Sequence, residues 1–429
     1  MSDPAPIDDP SGPDAPSWAG RVLVLVRREA LASIVPSQVM APLGQHPPAS
    51  RPRLGLLVPL GQLVRPRWRR QLLAVRDRAG DEFGIATDLL PSPPSRLMSL
   101  WDEARVVARW VRRRVPRGPV VLHCRGPEAT HVALAVRERL PRVRVLYDAR
   151  GAVAEEFVQR LELEHGTVPA DRLAAVRQSE HAAYARADAV LGVSAALLEH
   201  LGRRSPGSSD LSDRPTAVVP CCPDLSRFDA SAAVRDAARE RLGYAPTDRV
   251  LAYCGSAVWY QRPEWVVRVA AAACDRDARV RLLVLSQSPD RFAALAREAG
   301  IADGRVRAIS LPSGEVPRVL PAADAGLLLR DQTIVNRVAS PVKFAEYLAA
   351  GVPVAISPAV GDCSALVRAG RLGVVLDPAA DDPGVGPLVD LMATADPAVR
   401  DRCRRAAETH YRWDRHLPTV AAVYERLTR

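Results

Sequence analysis

Short apolar runs of strand length alternate with amphipathic helical stretches along most of the chain, and this alternation constrains the fold more than any other feature. The first half contains the runs VLVLV (22–26), LGLLVPL (54–60), VVLHC (120–124), VRVLYD (143–148) and AVLGVS (189–194). Strands that alternate with helices predict parallel sheets with right-handed crossovers. The first half is therefore predicted to form a Rossmann-like α/β domain.

A second set of alternating runs follows a polar stretch, RRSPGSSDLSDRP (203–215). Its members are RVLAYC (249–254), RLLVLS (281–286), VRAIS (306–310), AGLLLR (325–330), PVAIS (353–357) and LGVVL (372–376). At 429 residues the chain is long enough for two such cores. Two parallel-sheet domains that face a cleft are the architecture we expect.

The predicted organisation has five parts. We expect a disordered leader over 1–18, a first domain over 19–222, a linker region over 203–247, a second domain over 248–413, and a C-terminal helix over 414–429 that packs back across the domains. The leader is rich in Asp and Pro, a composition that is typical of disorder.

Composition narrows the possible partners and the compartment. The formal charge of +10 favours anionic partners, but no zinc-finger or RNA-recognition pattern occurs, which argues against nucleic acid. The seven cysteines are scattered, with Cys221 and Cys222 adjacent, which indicates a reducing compartment and a cytoplasmic protein. We predict neither a signal peptide nor a transmembrane helix, because the start has no apolar core and the apolar runs are strand-sized.

A phosphate-binding helix is predicted within the segment SPVKFAEYLAAGVPV, just beyond the run AGLLLR. Ser340 is a favourable N-cap, Pro341 suits the first helical position, and Gly351 is placed to end the helix after about three turns. The first turn of a helix offers backbone N–H groups and the positive dipole end to a phosphate. Lys343 adds a charge there, and Glu346 lies on the same face, where it can accept hydrogen bonds from a ribose diol. The plainer interpretation is an ordinary capped helix with an exposed Lys–Glu pair.

The same region holds two residues that are otherwise missing from the chain. Lys343 is the only lysine among 59 Lys and Arg residues, and Asn336 is the only asparagine. Because Arg is used almost everywhere else, the single lysine indicates a need for a compact charge on a flexible stem. Chance is the alternative.

Polar residues also follow two strands of the first domain, and ligands of open parallel sheets bind outside the carboxyl ends of the strands. The candidates on this acceptor side are His123, Arg125, Asp148, Arg150, Gly151 and Glu155. His123, Asp148 and Glu155 can each orient or deprotonate an acceptor hydroxyl. The candidate catalytic residues are His123 and Asp148 on this side and Glu346 on the donor side. A purely structural His123 is the alternative. No segment has the spacing of metal ligands.

Two basic stretches in the first domain favour contact with an anionic membrane. The stretches 65–78 and 104–118 each contain six arginines, and each carries a tryptophan, Trp68 or Trp110. In a helix this combination suits the lipid headgroup layer. A solvated helix face in an arginine-rich protein is the alternative.

The segment SPVKFAEYLAAGVPV resembles the donor-binding segment of GT-B glycosyltransferases, specifically the retaining family 4 (glycosyl transferases group 1). The blocks HAAYARADAVLGVSAALLEHL, VVPCCPDLSRF and YCGSAVWYQRPEWVVRVAAAA resemble that family in the same order, so the resemblance extends over about 20–428. It implies a GT-B fold and a hexosyltransferase-like enzyme of glycan, polysaccharide or glycoconjugate biosynthesis. Such an enzyme moves a sugar from a nucleotide-diphosphate donor to a glycan or lipid-linked acceptor with retention, and needs no cofactor, divalent metal or covalent protein nucleophile.

The chain departs from the family pattern in the donor segment. The family often has two glutamates separated by seven residues; the second corresponds to Glu346, and the first falls at Val338. With that glutamate missing, the resemblance implies that Asn336 or the backbone amides near Ala339 and Ser340 contact the sugar.

A second departure concerns the diphosphate. The family often has an Arg just after the donor-domain glycine and a Lys soon after it, whereas here Ser256 follows Gly255 and Gln261 lies near the second position. The resemblance then implies that Lys343 is the principal diphosphate cation, with Arg262 as a helper.

Other functions remain open. A sugar-nucleotide epimerase or a phosphorylase has the same fold, although a phosphorylase normally needs a pyridoxal lysine and Lys343 lies in the phosphate segment. An NAD-dependent oxidoreductase is disfavoured because no G-x-G-x-x-G follows a strand with an acidic residue about 20 positions on. A non-catalytic GT-B-like binding or scaffold protein is the third alternative, kept open by Val338 and Ser256.

Overall fold

The structure, a computed structural model, describes residues 16–32, 34–92, 100–204, 213–312, 314–394 and 396–429. The chain divides into two compact units, Met1–Val219 with His416–Arg429, and Pro220–Arg415. Most of the predicted leader and residues 205–212 of the predicted polar loop lie outside the described residues. The end of that leader is ordered, in contrast to the prediction, because the Trp18 side chain is buried and only 3% exposed.

The first unit contains a seven-stranded sheet with the order β3-β2-β1-β4-β5-β6-β7. Its strands are β1 (Val22–Arg27), β2 (Arg53–Pro59), β3 (Thr87–Ser92), β4 (Val120–Arg125), β5 (Val143–Ala149), β6 (Ala189–Gly192) and β7 (Thr216–Val218). All neighbouring strands are parallel. The strand order reverses between β1 and β4, and in sheets of this kind ligands bind at that point, outside the carboxyl ends of the strands.

Helices connect these strands. They are α1 (Ala41–Gly44), α2 (Leu60–Val64), α3 (Pro66–Phe83), α4 (Leu100–Arg114), α5 (Gly126–Arg139), α6 (Val153–His165), α7 (Ala170–Arg186) and α8 (Ala195–Arg203). Among the described residues, no helix is both long enough and apolar enough to span a membrane.

The second unit repeats this architecture with six parallel strands in the order β10-β9-β8-β11-β12-β13. Its strands are β8 (Arg249–Cys254), β9 (Val280–Leu285), β10 (Val306–Ile309), β11 (Ala325–Leu328), β12 (Val354–Ile356) and β13 (Gly373–Val375). Its helices are α9 (Ala232–Arg241), α10 (Pro263–Arg276), α11 (Pro289–Glu298), α12 (Val316–Val319), α13 (Ile334–Arg337), α14 (Val342–Ala349), α15 (Cys363–Gly370), α16 (Gly386–Thr394) and α17 (Pro397–His410). The order reverses between β8 and β11.

The last helix, α18 (Trp413–Thr428), follows the second unit in the chain, yet its residues from His416 onward belong to the first unit. Residues 220–247 were predicted to be part of the linker. They belong to the second unit, and α9 forms within them. The Ser231 hydroxyl caps α9 by accepting a hydrogen bond from the Val234 amide at 3.4 Å.

Each sheet has an apolar core because its strands are buried on both faces, as in other parallel sheets. In the first unit one such core joins alternate residues of β1 and β2, among them Val24, Val26, Leu54 and Leu56, to Leu72 of α3. Each side chain of this size contributes about 1.5–3 kcal/mol when it leaves water.

Trp110 belongs to the interior of the first unit. Its ring is 5% exposed, and its Nε1 donates a hydrogen bond to the Asp88 carboxylate at 2.7 Å. An added Cβ on Gly55 would lie 2.5 Å from this ring, so the glycine leaves room for it. The prediction that Trp110 faces lipid is therefore wrong, since the indole N–H has a buried partner and the ring fills a gap beside β2.

Candidate functional site

Helix α14 carries the predicted phosphate segment, and its start differs from the prediction. The helix begins at Val342, with Pro341 as the N-cap in an extended conformation, and has eight residues rather than about three turns. The Ser340 hydroxyl does not cap it, because it accepts a hydrogen bond from the Cys221 backbone amide at 3.1 Å. Ser340 therefore connects the start of α14 to the beginning of the second unit.

The end of α14 matches the prediction. Gly351 has a positive φ of 66°, a conformation that costs glycine little. The amides of Gly351 and Val352 donate to the carbonyls of Leu348 and Tyr347 at 2.9 and 2.8 Å, which is the Schellman arrangement. Helix α14 is thus closed firmly at its carboxyl end.

Lys343 is buried in the first turn of α14, with 7% of the residue exposed. Its Nζ contacts the Gln261 side-chain oxygen and lies 4.4 Å from the centre of the Tyr253 ring. Burial, together with the nearby Arg330 charge, lowers the pKa of Lys343 from its usual value to about 7. Because burial disfavours the charged ammonium and its contacts are neutral, a bound anion would stabilise the protonated form.

Gly255 explains how the lysine reaches this position. It follows β8 with a φ of 153°, and an added Cβ would lie 2.5 Å from the Lys343 Nζ and 2.8 Å from the Gln261 Oε1. Ser256 is part of the same turn, where its Oγ accepts a hydrogen bond from the Gln261 Nε2 at 3.2 Å. The predicted donor-side residues Gly255, Ser256 and Lys343 therefore lie together.

Glu346 lies one turn along α14 from Lys343 and is partly buried. Burial raises the pKa of Glu346, while the charges of Lys343 and Arg227 oppose that shift. Within the described part of the chain, the Glu346 carboxylate has no hydrogen-bonded or ion-paired partner. A half-buried carboxylate with open acceptor positions suits a ligand that offers hydroxyl groups.

Asn336 is structural, in contrast to its predicted contact with the sugar. Its side chain is fully buried. The amide oxygen accepts a hydrogen bond from the Arg330 Nη1 at 3.1 Å, and the amide nitrogen donates to the Asp331 carboxylate. Both ends of the amide are used to hold the loop after β11, so this side chain does not reach a ligand.

Arg262 is also engaged. Its guanidinium forms an ion pair with Asp331 at 2.7 Å and lies over the Trp265 ring at 5.1 Å. The backbone of Arg262 is left-handed, with a φ of 47°, where it precedes α10. The expected help with the diphosphate would require this ion pair to open, because the guanidinium already has a carboxylate partner.

Arg330 is a basic residue at this site that the sequence analysis did not select. It follows β11 at the point where the strand order reverses, is 7% exposed, and lies over the Tyr260 ring at 4.9 Å. Its Nη1 donates to the Asn336 side chain and to the Tyr260 carbonyl, whereas the buried Nε has no partner among the described residues. Its place as the last residue of the predicted strand AGLLLR is the signal that could have identified it.

In the first unit, His123 and Asp148 lie side by side at the carboxyl ends of β4 and β5. The His123 Nε2 is 3.7 Å from the Asp148 Oδ2, and the Arg150 Nη1 donates to the Asp148 Oδ1 at 3.3 Å. Burial alone would raise the pKa of Asp148, but Arg150, His123 and Arg125 together hold it well below its usual range. Asp148 is therefore an ionised carboxylate that accepts hydrogen bonds.

Arg125 and Arg150 connect this cluster to the segment that follows β1. The Arg125 Nε donates to the Glu29 carboxylate at 2.9 Å, and the Arg150 Nη2 donates to the Gln38 side chain at 3.2 Å. Arg125 is 8% exposed, and its buried Nη1 has no hydrogen-bond partner among the described residues. The cluster thus keeps one buried nitrogen, the Arg125 Nη1, that no described residue of this unit satisfies.

The remaining acceptor-side residues are placed differently. Glu155, in the first turn of α6, forms an ion pair with Arg204 and lies 4.0 Å from the His200 Nε2. It is therefore not part of the His123 cluster, because its carboxylate is directed towards the end of α8. An added Cβ on Gly151 would meet the Glu156 carboxylate, so a side chain there would require that carboxylate to move.

Metal ligands were not predicted, and no cluster of three or more His, Cys, Asp or Glu residues suited to a metal ion occurs within the described ranges. None of the seven cysteines, all of which are described, forms a disulfide.

The two doubly wound parallel sheets and their similarity to solved structures define the GT-B fold. HepE from Anabaena, solved with UDP and glucose, has a TM-score of 0.66 at 14% identity, with 94% of this chain and 99% of that chain covered. WaaG, a glycosyltransferase involved in lipopolysaccharide biosynthesis, has a TM-score of 0.59 at 16% identity, with 94% and 98% covered. The predicted fold class is confirmed.

Curated relatives are glycosyltransferases. The chain is 31% identical over 228 residues to the D-inositol 3-phosphate glycosyltransferase of Actinosynnema mirum, with 48% of this chain and 51% of that protein covered. It is 31% identical over 168 residues to the enzyme of the same name from Nocardia farcinica, with 37% and 36% covered. The chain therefore spans about half the length, or less, of the curated relatives it matches. No protein-family model matches it.

Proposed function

We propose that the protein is a glycosyltransferase that takes a sugar from a nucleotide-diphosphate donor. One observation carries the proposal: Lys343 and Glu346 lie one turn apart on α14, at the carboxyl edge of the second sheet, the lysine held by neutral groups and the carboxylate open. A buried cation whose direct contacts among the described residues are neutral favours a diphosphate, and an open carboxylate favours a ribose diol.

Arg330 extends this site. Because Ser256 and Gln261 stand where the resembled family often has Arg and Lys, a second cation for the diphosphate must come from elsewhere. Arg330 lies at the end of β11 and is close enough to lower the pKa of Lys343. Its fixed, always charged guanidinium complements the lysine, and the two together match the charge of a diphosphate.

The acceptor is proposed to bind at the His123 cluster. His123 orients the acceptor hydroxyl, and the Nη1 of Arg125, which has no partner among the described residues, is suited to an anionic group on the acceptor. The curated relatives are named for D-inositol 3-phosphate, an acceptor of this chemistry, so that compound is the first to test, followed by glycan and lipid-linked acceptors. We further propose transfer with retention of configuration, assisted by the departing phosphate, without a divalent metal, cofactor or covalent protein nucleophile.

The closest rival within this fold is a non-catalytic binding protein. Val338 is buried, at 2% exposure, where the resembled family often has a glutamate. A binding protein would retain nucleotide affinity without turnover. An epimerase would instead convert the sugar nucleotide with no acceptor present.

Thermal-shift titration tests the donor site. UDP, GDP, dTDP and their sugars are compared, starting with UDP and UDP-glucose, and a ligand at 100 times its Kd stabilises the folded state by about 2.7 kcal/mol. One nucleotide should stabilise the wild-type protein and fail to stabilise Glu346→Gln. If no nucleotide raises the melting temperature, the proposal fails.

Turnover with the selected donor is then followed by NMR. Release of nucleotide diphosphate that depends on the acceptor, with the α-anomer kept, supports a retaining transferase, and EDTA should leave the rate unchanged. Nucleotide binding without turnover on any acceptor supports the binding-protein alternative, and conversion of the donor alone supports an epimerase.

We also propose that the first unit contacts an anionic membrane surface, which would place the reaction at the cytoplasmic face of a membrane. Leu60, Val64 and Trp68 are spaced four residues apart along α2 and α3 and are 43%, 67% and 37% exposed. Four arginines flank them, exposed and without an ion pair to the described residues: Arg65, Arg67, Arg69 and Arg70. Each basic residue near an anionic surface contributes about 1 kcal/mol. We call the surface formed by these three apolar residues and four arginines the α2–α3 face. In the membrane proposal it takes the place of the predicted pair Trp68 and Trp110.

A further inference from the structure

Tyr424 of α18 reaches the His123 cluster from the far end of the sequence. Its side chain is fully buried in the first unit, and its hydroxyl lies 2.7 Å from the His123 Nδ1. The two residues are 301 positions apart in the chain. No motif of the sequence analysis included this tyrosine.

The Tyr424 ring is fixed by other aromatic side chains. Its centroid is 5.1 Å from the Trp18 ring, 6.2 Å from the His46 ring and 5.9 Å from the His123 ring. Burial, together with His123 and Arg51, lowers the pKa of His46 to about 4, so this neighbour is neutral. Aromatic packing therefore holds the phenol ring, and among the described residues the hydroxyl has no hydrogen-bond partner other than His123.

The two ring nitrogens of His123 have different neighbours, Asp148 near Nε2 and the Tyr424 hydroxyl near Nδ1. The ionised Asp148 carboxylate lies 3.7 Å from Nε2, too far for a hydrogen bond, and its negative charge favours the tautomer with the proton on Nε2. The Nδ1 then carries the lone pair and accepts the hydrogen of the Tyr424 hydroxyl. Burial and the nearby Asp148 charge raise the pKa of Tyr424, which keeps that hydrogen on the phenol.

We propose that Tyr424 is a positioning residue that holds His123 as an Nε2–H donor at the carboxyl edge of the first sheet. The inference rests on the proposed function for its kinetic consequence. In that state His123 donates a hydrogen bond to an oxygen of the bound substrate and does not remove a proton from it. Of the two roles predicted for His123, orienting the hydroxyl is then the one it performs.

The direct test is NMR of the full-length protein labelled with ¹⁵N-histidine, with the His123 signals assigned by their loss in His123→Gln. With His123 neutral, the wild-type protein should show a protonated Nε2 and an Nδ1 shifted upfield by an accepted hydrogen bond. In Tyr424→Phe, which keeps the ring, the Nδ1 signal should move downfield to the position of a non-bonded nitrogen.

Tyr147→Phe is the matched control, because Tyr147 is also fully buried in the first unit and its hydroxyl has no hydrogen-bond partner among the described residues. It should leave the His123 signals unchanged. A protonated Nδ1 in the wild-type protein, or an Nδ1 signal that is the same in Tyr424→Phe, overturns the inference.

Kinetics separate this inference from the proposed function. Tyr424→Phe should lower kcat for transfer about tenfold with little change in the KM for the donor, since displacement of a catalytic group by about 1 Å can cost up to about 100-fold. If the NMR result holds and no transfer is found with any donor, the positioning role stands and the glycosyltransferase proposal fails. An unchanged kcat in an active enzyme overturns the positioning role even if the Nδ1 signal moves.

Discussion

The second unit holds Lys343 with neutral groups, Gln261 and the Tyr253 ring, whereas the first unit holds Asp148 between charged and ionisable side chains, Arg150 and His123. The first arrangement leaves a positive charge uncompensated, which suits an anionic ligand. The second is nearly neutral as a group, which suits the orientation of a hydroxyl. If both sites serve one reaction, the second unit should control nucleotide affinity and the first unit should control turnover.

Glu346→Gln should have the largest effect. The loss of the ribose-binding carboxylate should lower kcat/KM for transfer about 100-fold or more, which corresponds to about 2.7 kcal/mol. Because burial raises the pKa of Glu346 and so opposes its charged form, the neutral amide should leave the melting temperature unchanged or slightly higher. Transfer assays and calorimetry measure both quantities. If the folded variant transfers the sugar as well as the wild-type protein does, Glu346 is not a donor-binding residue.

Lys343→Arg should lower UDP affinity about 30-fold, a loss of about 2 kcal/mol. A guanidinium is larger than an ammonium, and the space beside Gly255 and Gln261 is already filled by Nζ. Isothermal titration calorimetry gives the Kd. The control is Arg318→Lys, an exposed residue paired with Glu315, which should bind UDP normally. Normal affinity in Lys343→Arg would mean that the single lysine is a matter of chance.

Asp148→Asn tests whether the first unit controls turnover. We expect kcat to fall about 20-fold, within the range for a misplaced catalytic group, while the Kd for UDP stays the same. Removal of one partner from a buried ion pair also costs about 3 kcal/mol of stability, so transfer is measured below the melting temperature of the variant.

Asp88→Asn controls for that loss of stability. Asp88 is paired with Arg53 and Arg114 in the same unit but lies near the start of β3, at the opposite edge of the sheet. It should lower the melting temperature without changing kcat. If Asp148→Asn weakens UDP binding as strongly as transfer, the two sites do not divide the work as proposed.

The affinity for UDP should depend on pH through Lys343. The pKa of this lysine is lowered to about 7 in the folded protein, and the diphosphate binds the protonated form. Affinity should therefore be highest below pH 7 and fall by up to about tenfold between pH 6 and 8, because binding must then take up a proton. Calorimetry of Lys343→Met over the same range gives the contribution of UDP itself. If the difference in UDP affinity between the wild-type protein and Lys343→Met does not change from pH 6 to 8, the lowered pKa of Lys343 is contradicted.

The smallest effect is expected at the α2–α3 face. Trp68→Ala should weaken binding to anionic vesicles about threefold to tenfold, since a ring that is only partly withdrawn from water contributes about 1 kcal/mol, less than the roughly 1.5–3 kcal/mol of full burial. Sedimentation with phosphatidylglycerol vesicles at low salt measures it, and higher salt should weaken binding by the wild-type protein too. Leu163→Ala, at a 60% exposed residue on α6, is the matched control. If the wild-type protein binds anionic and neutral vesicles equally poorly, a soluble acceptor is favoured.

Most strands could be predicted from sequence because each is a continuous apolar run between turns. β8 was predicted to the residue, whereas β3 and β7 were missed. β3 contains Asp88 and Pro91 and lies at one edge of its sheet, and β7 has only three residues at the other edge, so neither gives an apolar signal of useful length.

The two candidate sites differ in how far sequence could reveal them. Lys343 and Glu346 share one contiguous segment with a helix signature, so local rules suffice. Tyr424 meets His123 only through the tertiary fold, and no local pattern links them. Asn336 shows the opposite error, because the family resemblance implied that it contacts the sugar, whereas its amide holds the loop after β11.

The last residues of α18 have a consequence for the order in which the protein folds during synthesis. All strands of the first sheet are translated before residue 220, but the helix segment that carries Tyr424 follows 196 residues of the second unit. At a translation rate of about 5–20 residues per second, this delay is about 10–40 s. Throughout it, the emerging first unit exposes Trp18 and His46 where α18 will later pack. That surface is covered only when the residues of α18 have been synthesised and pack against it.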